Sequence, residues 1–284
     1  MVLISIFLLV LVWGFFAQYV DGALGMGYGA TSASLILGTT ALYPATVSAS
    51  VHMAEIFASA ASGLSHLRFG NVDKKIVIPL TCAGIPGGVV GAYFLAQMPG
   101  NLMKPFVGVI LFILGLRIFL RYYSRKKLKS NPKGEFSKKF LLPLAFAGGT
   151  IDAIGGGGWG PVCTSTLVST NRKSPRYIVG SVNFSEFFTT LAIVATFGLT
   201  LGFEAFLWFI IVPLIIGGVV AAPVAAYTCR RIPTTLLGLL IGTALMVLNS
   251  RTIVVGAGMT NLGLIFVPVG IVLVLLIASR RKML

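Results

Sequence analysis

The chain has 284 residues and a mean hydropathy of +0.95; 56% of its residues are hydrophobic and only 10% are charged. Soluble domains carry about 25% charged residues, so this composition excludes a water-soluble fold. The net charge of +15 does not indicate nucleic-acid binding here, because the basic residues lie in short loops between apolar runs, as topological signals do.

Nine apolar segments follow one another along the chain. They cover approximately residues 2–38, 44–66, 76–98, 102–121, 140–170, 176–200, 205–229, 234–250 and 261–279. Their lengths predict an all-α polytopic membrane protein with about seven to nine membrane segments. The first segment has no basic n-region, so we expect it to be retained rather than cleaved as a signal peptide.

The one long polar stretch, residues 121–139, contains eight of the 22 basic residues together with Asn131, Pro132 and Gly134. It predicts a basic cytoplasmic linker between two halves. The predicted division of the chain follows from it: a first transmembrane repeat (1–120), the linker (121–139), a second transmembrane repeat (140–250), and an extra C-terminal span with a basic tail (251–284).

An internal repeat relates the two halves. Shifting the chain by 131 residues aligns 21–59 with 152–190 without a gap and gives 11 identities in 39 positions. Roughly one in ten positions would match by chance in so biased a composition, so the chain is a duplication. Four of the seven acidic residues occupy equivalent positions of the two halves: Asp21 and Asp152, and Glu55 and Glu186.

The basic residues predict the relative orientation of the halves. If every segment crossed the membrane once, the basic loops 121–139 and 172–176 would lie on opposite sides, against the positive-inside rule. If segments 2–38 and 140–170 instead enter and leave on one side, loops holding 19 of the 22 basic residues face the cytoplasm. Equivalent loops then face opposite sides, which predicts two inverted-topology repeats, as in many secondary transporters.

Each of these two segments contains glycines beside an acidic residue: DGALGMGYG at 21–29 and DAIGGGGWGP at 152–161. Glycines 155–158 would cost roughly 1 kcal/mol each inside a helix. Segment 140–170 is about 46 Å long as a helix, too short for two crossings of about 30 Å each. We therefore predict two glycine-broken, re-entrant helices. A single tilted helix with packing glycines is the alternative.

An unwound glycine stretch before a helix leaves free N–H groups, which can bind an anion together with the positive end of the helix dipole. The predicted substrate-binding residues come from both breaks and from one spanning helix: Gly25, Gly27, Gly29, Gly156, Gly157, Gly158, Trp159 and Asn183. Packing glycines are the alternative interpretation, and the repetition of the break in both halves argues against it.

Five titratable residues are predicted to serve ion coupling or structure: Asp21, His52, Glu55, Asp152 and Glu186. Burying an aspartate at membrane depth costs at least about 2.5 kcal/mol, so both aspartates need partners. We favour hydrogen bonds from the broken backbone over proton or Na⁺ binding for them. The matched pair Arg117 and Arg251 lies near segment ends, which favours snorkelling anchors over substrate ligands.

A polar stripe runs along segment 44–66, because Ser48, His52, Glu55, Ser59, Ser62 and His66 are spaced by three or four residues. Lipid excludes such a face, so we expect it to meet the equivalent face of segment 176–200, which carries Asn183 and Glu186, or a wet cavity. A proton-coupled substrate path through Glu55, with His52 as its partner, and a purely structural hydrogen-bond network both fit this pattern.

Three cysteines, Cys82, Cys163 and Cys229, lie scattered in apolar stretches without CxxC spacing. Neither a disulfide framework nor a zinc site is predicted, and each thiol is expected to be a small buried residue. The chain also lacks HExxH, a usable Ser-His pair and a phosphate-binding GxxxxGK[ST] loop. We therefore expect no metal, no cofactor and no enzymatic activity.

Three stretches resemble the TauE/SafE family of membrane transporters: GALGMGYG at 22–29, GNVD at 70–73 and GGTIDAIGGGGWGP at 148–161. The resemblance covers nearly the whole chain, including the duplication and the basic central loop. It implies transport of sulfite, sulfonates or related organosulfur anions, and it maps the glycine-rich motifs of the family onto residues 22–29 and 153–160.

Together these observations predict a multi-pass transporter of the plasma (inner) membrane that moves a small anion, sulfite or a short sulfonate, by alternating access with possible proton coupling. A channel-like anion permease and a non-transporting membrane assembly protein are the alternatives. The expected partners are a small anion of the sulfite or sulfonate class and the lipid bilayer, without nucleic acid; a homodimer is left open.

Overall fold

The computed structural model describes residues 2–24, 26–123, 134–170, 172–228 and 234–259. The regular secondary structure in this part of the chain is helical throughout, with no strand in it. The prediction of an all-α protein is confirmed. The predicted span 261–279 and the basic tail after it lie outside the described residues.

Five helices form the first half: α1 (Val2–Leu24), α2 (Tyr28–Thr39), α3 (Pro44–Arg68), α4 (Lys74–Gln97) and α5 (Gly100–Tyr123). Five more form the second half: α6 (Lys138–Gly155), α7 (Ser165–Ser169), α8 (Pro175–Leu201), α9 (Trp208–Thr228) and α10 (Thr234–Gly256). A π turn, Gly160–Thr164, leads into α7. Each predicted apolar segment that is described matches one helix or one broken pair of helices, with ends that differ by several residues.

Among the described residues, four helical stretches are long and apolar enough to cross a membrane: Lys74–Gln97, Gly100–Tyr123, Pro175–Leu201 and Gly238–Gly256. Two shorter apolar stretches, Ile6–Asp21 and Trp208–Ala221, accompany them. Large apolar side chains on these helices, such as Ile113 and Val219, are exposed, as expected for residues that face lipid.

Each half packs its first helix against the other half. Helix α1 of the first half packs against α9 of the second, and α6 of the second half packs against α4 of the first. In the repeat, α6 is equivalent to α1, and α9 is equivalent to α4. The other extensive contacts between the halves include two pairs of equivalent helices, α3 with α8 and α5 with α10. Two duplicated halves related by a pseudo-twofold axis produce this pattern.

Helices α5 and α10 run antiparallel. Pro105 near the start of α5 faces Gly256 at the end of α10, Gly115 faces Gly242, and Tyr122 near the end of α5 faces Gly238. Equivalent helices of an inverted repeat point in opposite directions across the membrane. The antiparallel pair therefore supports the inverted-topology prediction.

After the second glycine break the chain turns back along α6. The Cys163 thiol in the π turn lies 4.0 Å from the Leu144 carbonyl oxygen, and it would meet a side chain at Gly148. Leu167 of α7 shares a buried cluster with Leu141, near the start of α6. This hairpin supports a re-entrant segment rather than one tilted helix.

The cysteine prediction holds for one of the two described thiols. Cys163 is buried, whereas Cys82 is exposed and the prediction for it was wrong. Cys82 lies on an outward face of α4, where a small apolar residue in a membrane protein can contact lipid instead of the protein interior. Cys229 lies outside the described residues.

The two repeat-equivalent arginines each contact the broken segment of the opposite half. Arg251 of α10 donates to the Gly38 carbonyl near the end of α2, and Arg117 of α5 donates to the Thr166 hydroxyl of α7. Cations at a helix C-terminus stabilise its exposed carbonyls. Both side chains therefore have protein partners, in addition to the anchoring role that the sequence indicated.

A hydrogen bond and an ion pair connect the α3–α4 loop of the first half to the beginning of α8 in the second half. The Asp73 N–H donates to the Ser181 hydroxyl at 2.8 Å, and Lys173 forms an ion pair with the Asp73 carboxylate. The carboxylate also caps α4 by accepting from the Lys75 N–H at 2.9 Å. Burial alone would raise the pKa of Asp73, but the charges and hydrogen bonds of Lys173 and Lys75 outweigh it and hold the pKa below its ordinary value.

Replacing Asp73 with asparagine is expected to lower the thermal unfolding midpoint of the purified protein at pH 7, because the ion pair with Lys173 is lost while the amide oxygen can still cap α4. A carboxyl whose pKa is lowered by folding stabilises the protein above its unfolded pKa of about 4. This stabilisation is lost as pH falls through the lower folded value. The unfolding midpoints of Asp73→Asn and wild type should thus converge only below about pH 4. The control Glu204→Gln, at an exposed residue, should have the unfolding midpoint of wild type. A constant difference at every pH would contradict this account.

Candidate functional site

The two glycine breaks lie in direct backbone contact. Gly157, with φ +151°, packs so closely on Gly29 and Ala30 that a Cβ atom there would overlap their backbone. A Cβ at Gly29 would lie 2.7 Å from the Gly156 carbonyl oxygen. In the first break, Gly27 adopts φ +117° and precedes α2. Positive φ and close approach are the two reasons that favour glycine, and both apply here.

Asp152, the last acidic residue before the second break, is fully buried. Its Oδ1 atom accepts hydrogen bonds from the Gly158 N–H at 2.5 Å and the Trp159 N–H at 2.9 Å. The carboxylate therefore satisfies two of the N–H groups that the unwound backbone leaves free. This geometry fits the structural role that the sequence favoured for this aspartate.

The second oxygen of Asp152 faces a histidine of the other half. His52 Nε2 lies 3.4 Å from Asp152 Oδ2, and both side chains are fully buried. The Nδ1 atom lies 2.8 Å from the Ser48 carbonyl oxygen. A carbonyl can only accept, so Nδ1 carries a hydrogen and donates it. Nε2 is left to hold or release the proton that it shares with the carboxylates.

Glu55 brings a third titratable group to this point. Its Oε2 atom lies 3.9 Å from His52 Nε2 and has no hydrogen-bond partner among the described residues. The other end of the carboxylate faces the Gly29 N–H of the first break. Glu55 is therefore in contact with the break of its own half and with the histidine that faces the opposite half.

The two remaining acids lie close enough to interact with this cluster. Asp21 accepts one hydrogen bond, from the Tyr28 N–H at 3.4 Å, and is partly buried. Glu186 is also partly buried and lies within Coulombic range of the other three carboxylates. Four carboxylates and one histidine thus interact with one another, and within the described part of the chain no lysine or arginine acts on Glu55 or Glu186.

One nitrogen and two oxygens from His52, Glu55 and Asp152 lie within 4.8 Å of one another. Metal ions in proteins take at least four ligands as a rule, and Asp152 Oδ1 is already bonded to two N–H groups. A shared proton satisfies the same atoms without further ligands. We therefore treat the cluster as a proton site, and the absence of a metal stays a prediction.

The side chains of two other predicted site residues, Trp159 and Asn183, bond to partners other than the carboxylates. Trp159 is fully buried, its indole N–H donates to the Val182 carbonyl at 3.1 Å, and its ring packs on Gly84. Asn183 donates to the Ser62 hydroxyl at 2.9 Å, so the polar faces of α3 and α8 meet as expected. Ser62 lies two turns, about 10 Å, beyond Glu55 along α3. Gly25 lies outside the described residues.

Sequence reasoning missed the pairing of Asp152 with His52. The two residues are 100 positions apart and belong to different halves. Repeat symmetry gave no signal for it, because Asn183 occupies the position equivalent to His52. The polar stripe identified His52 and Glu55 as members of one helix face without indicating what that face contacts.

Comparison with known proteins assigns the family. The family model for the sulfite exporter TauE/SafE matches residues 10–252. The chain is 42% identical over 242 residues to the probable membrane transporter protein YtnM of Bacillus subtilis (strain 168), covering 85% of this chain and 80% of that protein. No solved structure matches this chain.

The chain belongs to the TauE/SafE family, and it is a multi-pass cell-membrane transporter rather than an enzyme. The family resemblance, the transporter class and the membrane location predicted from the sequence are thereby confirmed. The glycine motifs on which the resemblance rested fall within the matched residues.

Proposed function

We propose that this TauE/SafE family member moves a small sulfur oxyanion, sulfite or a short sulfonate, across the membrane by alternating access, with proton coupling through Glu55 and Glu186. The substrate would bind where the two glycine breaks meet. The name of the matching family supports the proposed substrate class. The proposed location is supported by the chemistry of the breaks, because unwound backbone before a helix can bind anions through its N–H groups.

Alternating access is supported by the contact between the breaks. Gly157 touches the backbone of Gly29 and Ala30, so an anion between them requires the two halves to separate. Helix breaks at the interface of two repeats are the part of secondary transporters that opens by movement of one repeat against the other. A channel-like permease would need a continuous opening at this level, which the contact does not provide.

Proton coupling is supported by the charge of the buried cluster, and this observation carries the proposal. Burying several unpaired carboxylates in ionised form is prohibitively expensive, and His52 is the one basic group that faces them among the described residues. Protons are therefore the counter-charge that the cluster requires. The unpartnered Glu55 Oε2 is the atom on which a transported proton would sit.

The test is uptake of radiolabelled sulfite by proteoliposomes under an imposed pH gradient. Wild type should accumulate sulfite in a gradient-dependent manner. Glu55→Gln should lose the gradient-dependent part and keep exchange of sulfite for sulfite, since exchange needs no net proton movement. Glu204→Gln should behave as wild type because this residue is exposed and distant in sequence from both breaks.

The outcomes separate the parts of the proposal. Gradient-dependent accumulation that persists in Glu55→Gln would refute coupling through this residue. Flux that does not saturate and shows no counterflow would favour the channel-like permease. Absence of flux for sulfite and for short sulfonates alike would overturn the substrate class.

A further inference from the structure

The N–H groups best placed to bind a substrate anion are already bonded to a carboxylate of the chain itself. Gly158 and Trp159, the last residues of the second break, donate to Asp152 Oδ1 at 2.5 and 2.9 Å. A pair of successive N–H groups at the start of a helical segment is a common anion site. Asp152 therefore occupies the position that an oxyanion oxygen would take.

The free end of this carboxylate is connected to a proton source. Asp152 Oδ2 lies 3.4 Å from His52 Nε2, and Glu55 Oε2 lies 3.9 Å from the same nitrogen. The Ser48 carbonyl fixes the histidine by accepting from Nδ1 at 2.8 Å. A proton that reaches Glu55 or His52 therefore has Asp152 as its next acceptor.

We propose that Asp152 is a built-in competitor of the substrate: ionised, it holds the Gly158 and Trp159 N–H groups, and protonated, it releases them to the anion. This inference rests on the proposed function, since it presupposes an anionic substrate. It names the residue through which proton binding and anion binding are coupled. It also names the two backbone donors of the substrate site.

The proton and charge balance of this exchange closes. A proton leaves His52 Nε2, or Glu55 through His52, and forms an O–H bond on Asp152 Oδ2, and bulk water replaces the lost proton. A singly charged anion then takes the two hydrogen bonds that the neutral acid accepts only weakly. The net charge at the break is −1 before and after binding, so anion entry adds no charge to a low-dielectric site.

The titratable groups around Asp152 come from several packed elements. They are His52 and Glu55 of α3, Cys163 of the π turn and Glu186 of α8. Asp21 of α1 interacts in turn with Glu55 and Glu186. The histidine can deliver a proton to Asp152 directly, because His52 Nε2 lies 3.4 Å from Asp152 Oδ2.

The two halves differ at this point. The equivalent aspartate, Asp21, accepts a single N–H from Tyr28 at 3.4 Å, and the residue equivalent to His52 is Asn183, which bonds to Ser62. An amide neither gives nor takes a proton at neutral pH. The competitor therefore operates in the second break alone, which predicts one proton for each anion.

The test measures methanesulfonate affinity by calorimetry on the full-length protein in detergent, between pH 6 and 9. A sulfonate keeps its single charge over this range, so any pH dependence belongs to the protein. If a protonated Asp152 is required, the wild-type Kd should rise up to about tenfold per pH unit once Asp152 is ionised. Asp152→Asn should bind with a Kd independent of pH and more tightly than wild type at pH 9.

Glu204→Gln, at an exposed residue outside the cluster, serves as the comparison and should retain the wild-type pH slope. Calorimetry of wild type in two buffers of different ionisation enthalpy provides a measurement that needs no variant. We expect about one proton taken up per bound anion at alkaline pH. Zero proton uptake, or a wild-type pH slope in a folded Asp152→Asn protein, would overturn the inference.

Failure of the inference can be distinguished from failure of the proposed function. If methanesulfonate and sulfite bind but proton uptake is zero, the anion site stands and Asp152 is a structural residue. If neither anion binds at any pH to the folded wild-type protein, the proposed substrate class is wrong and the inference falls with it.

Discussion

Gly157→Ala should abolish transport and lower the free energy of unfolding by at least about 2 kcal/mol. Two independent costs apply at this position. The backbone at φ +151° is strained for any residue with a Cβ atom, and that atom would overlap the Gly29–Ala30 backbone of the opposite break. To accommodate it, the two breaks must separate, and the contact between the halves is lost.

The matched control is Gly202→Ala. Gly202 also has a positive φ, +78°, but a Cβ atom there would have nothing within 4 Å. Alanine at this position therefore introduces backbone strain without steric overlap. Thermal unfolding in detergent and sulfite exchange in proteoliposomes measure both variants. Equal effects of the two substitutions would show that backbone conformation, rather than the contact between the breaks, determines the outcome.

Trp159→Ala should destabilise the protein by about 3–5 kcal/mol, the cost typical of deleting a fully buried aromatic side chain. The Trp159 ring fills the space beside Gly84 of α4, and its N–H satisfies the Val182 carbonyl of α8. The substitution leaves a cavity at a junction of both halves and an unsatisfied buried carbonyl. The contacts of its side chain are those of a core residue, so the backbone N–H is the part of Trp159 that stays a candidate substrate donor.

Trp208→Ala provides the comparison for this variant, because Trp208 is 55% exposed at the start of α9. Its unfolding midpoint in detergent should change little, and that of Trp159→Ala should fall by many degrees. A stable Trp159→Ala protein with weakened anion binding would instead support the ligand role and contradict the core assignment.

Much of the fold was predictable from the sequence, for reasons visible in particular segments. Segment 76–98 is apolar over a full membrane thickness and became α4 (Lys74–Gln97) with little error. The glycines at 155–158 predicted a break, and α6 ends at Gly155. Propensity and hydropathy act over a few residues, so they can be read without knowledge of the packing.

The acids of the cluster and the backbone donors to Asp152 were predictable, but its pairing with His52 was not. The duplication identified Asp21, Glu55, Asp152 and Glu186, because equivalent positions retain an acid. Their environments differ all the same: Asp152 binds two N–H groups and faces a histidine, whereas Asp21 binds one N–H. A repeat predicts which residues occupy equivalent positions. Because the first half has His52 where the second half has Asn183, only one of the two positions can exchange a proton.

By itself, therefore, the sequence determined the membrane class, the two halves, the position of each glycine break and the four acids that accompany them. The tertiary structure decided that the breaks touch through Gly29 and Gly157, and that the Asp152 carboxylate already holds the N–H groups expected to bind substrate. The reason is physical. Local composition sets where a helix can persist in lipid, but which side chain meets which depends on how α3 and α6 pack across 100 residues of chain, and no local signal encodes that distance.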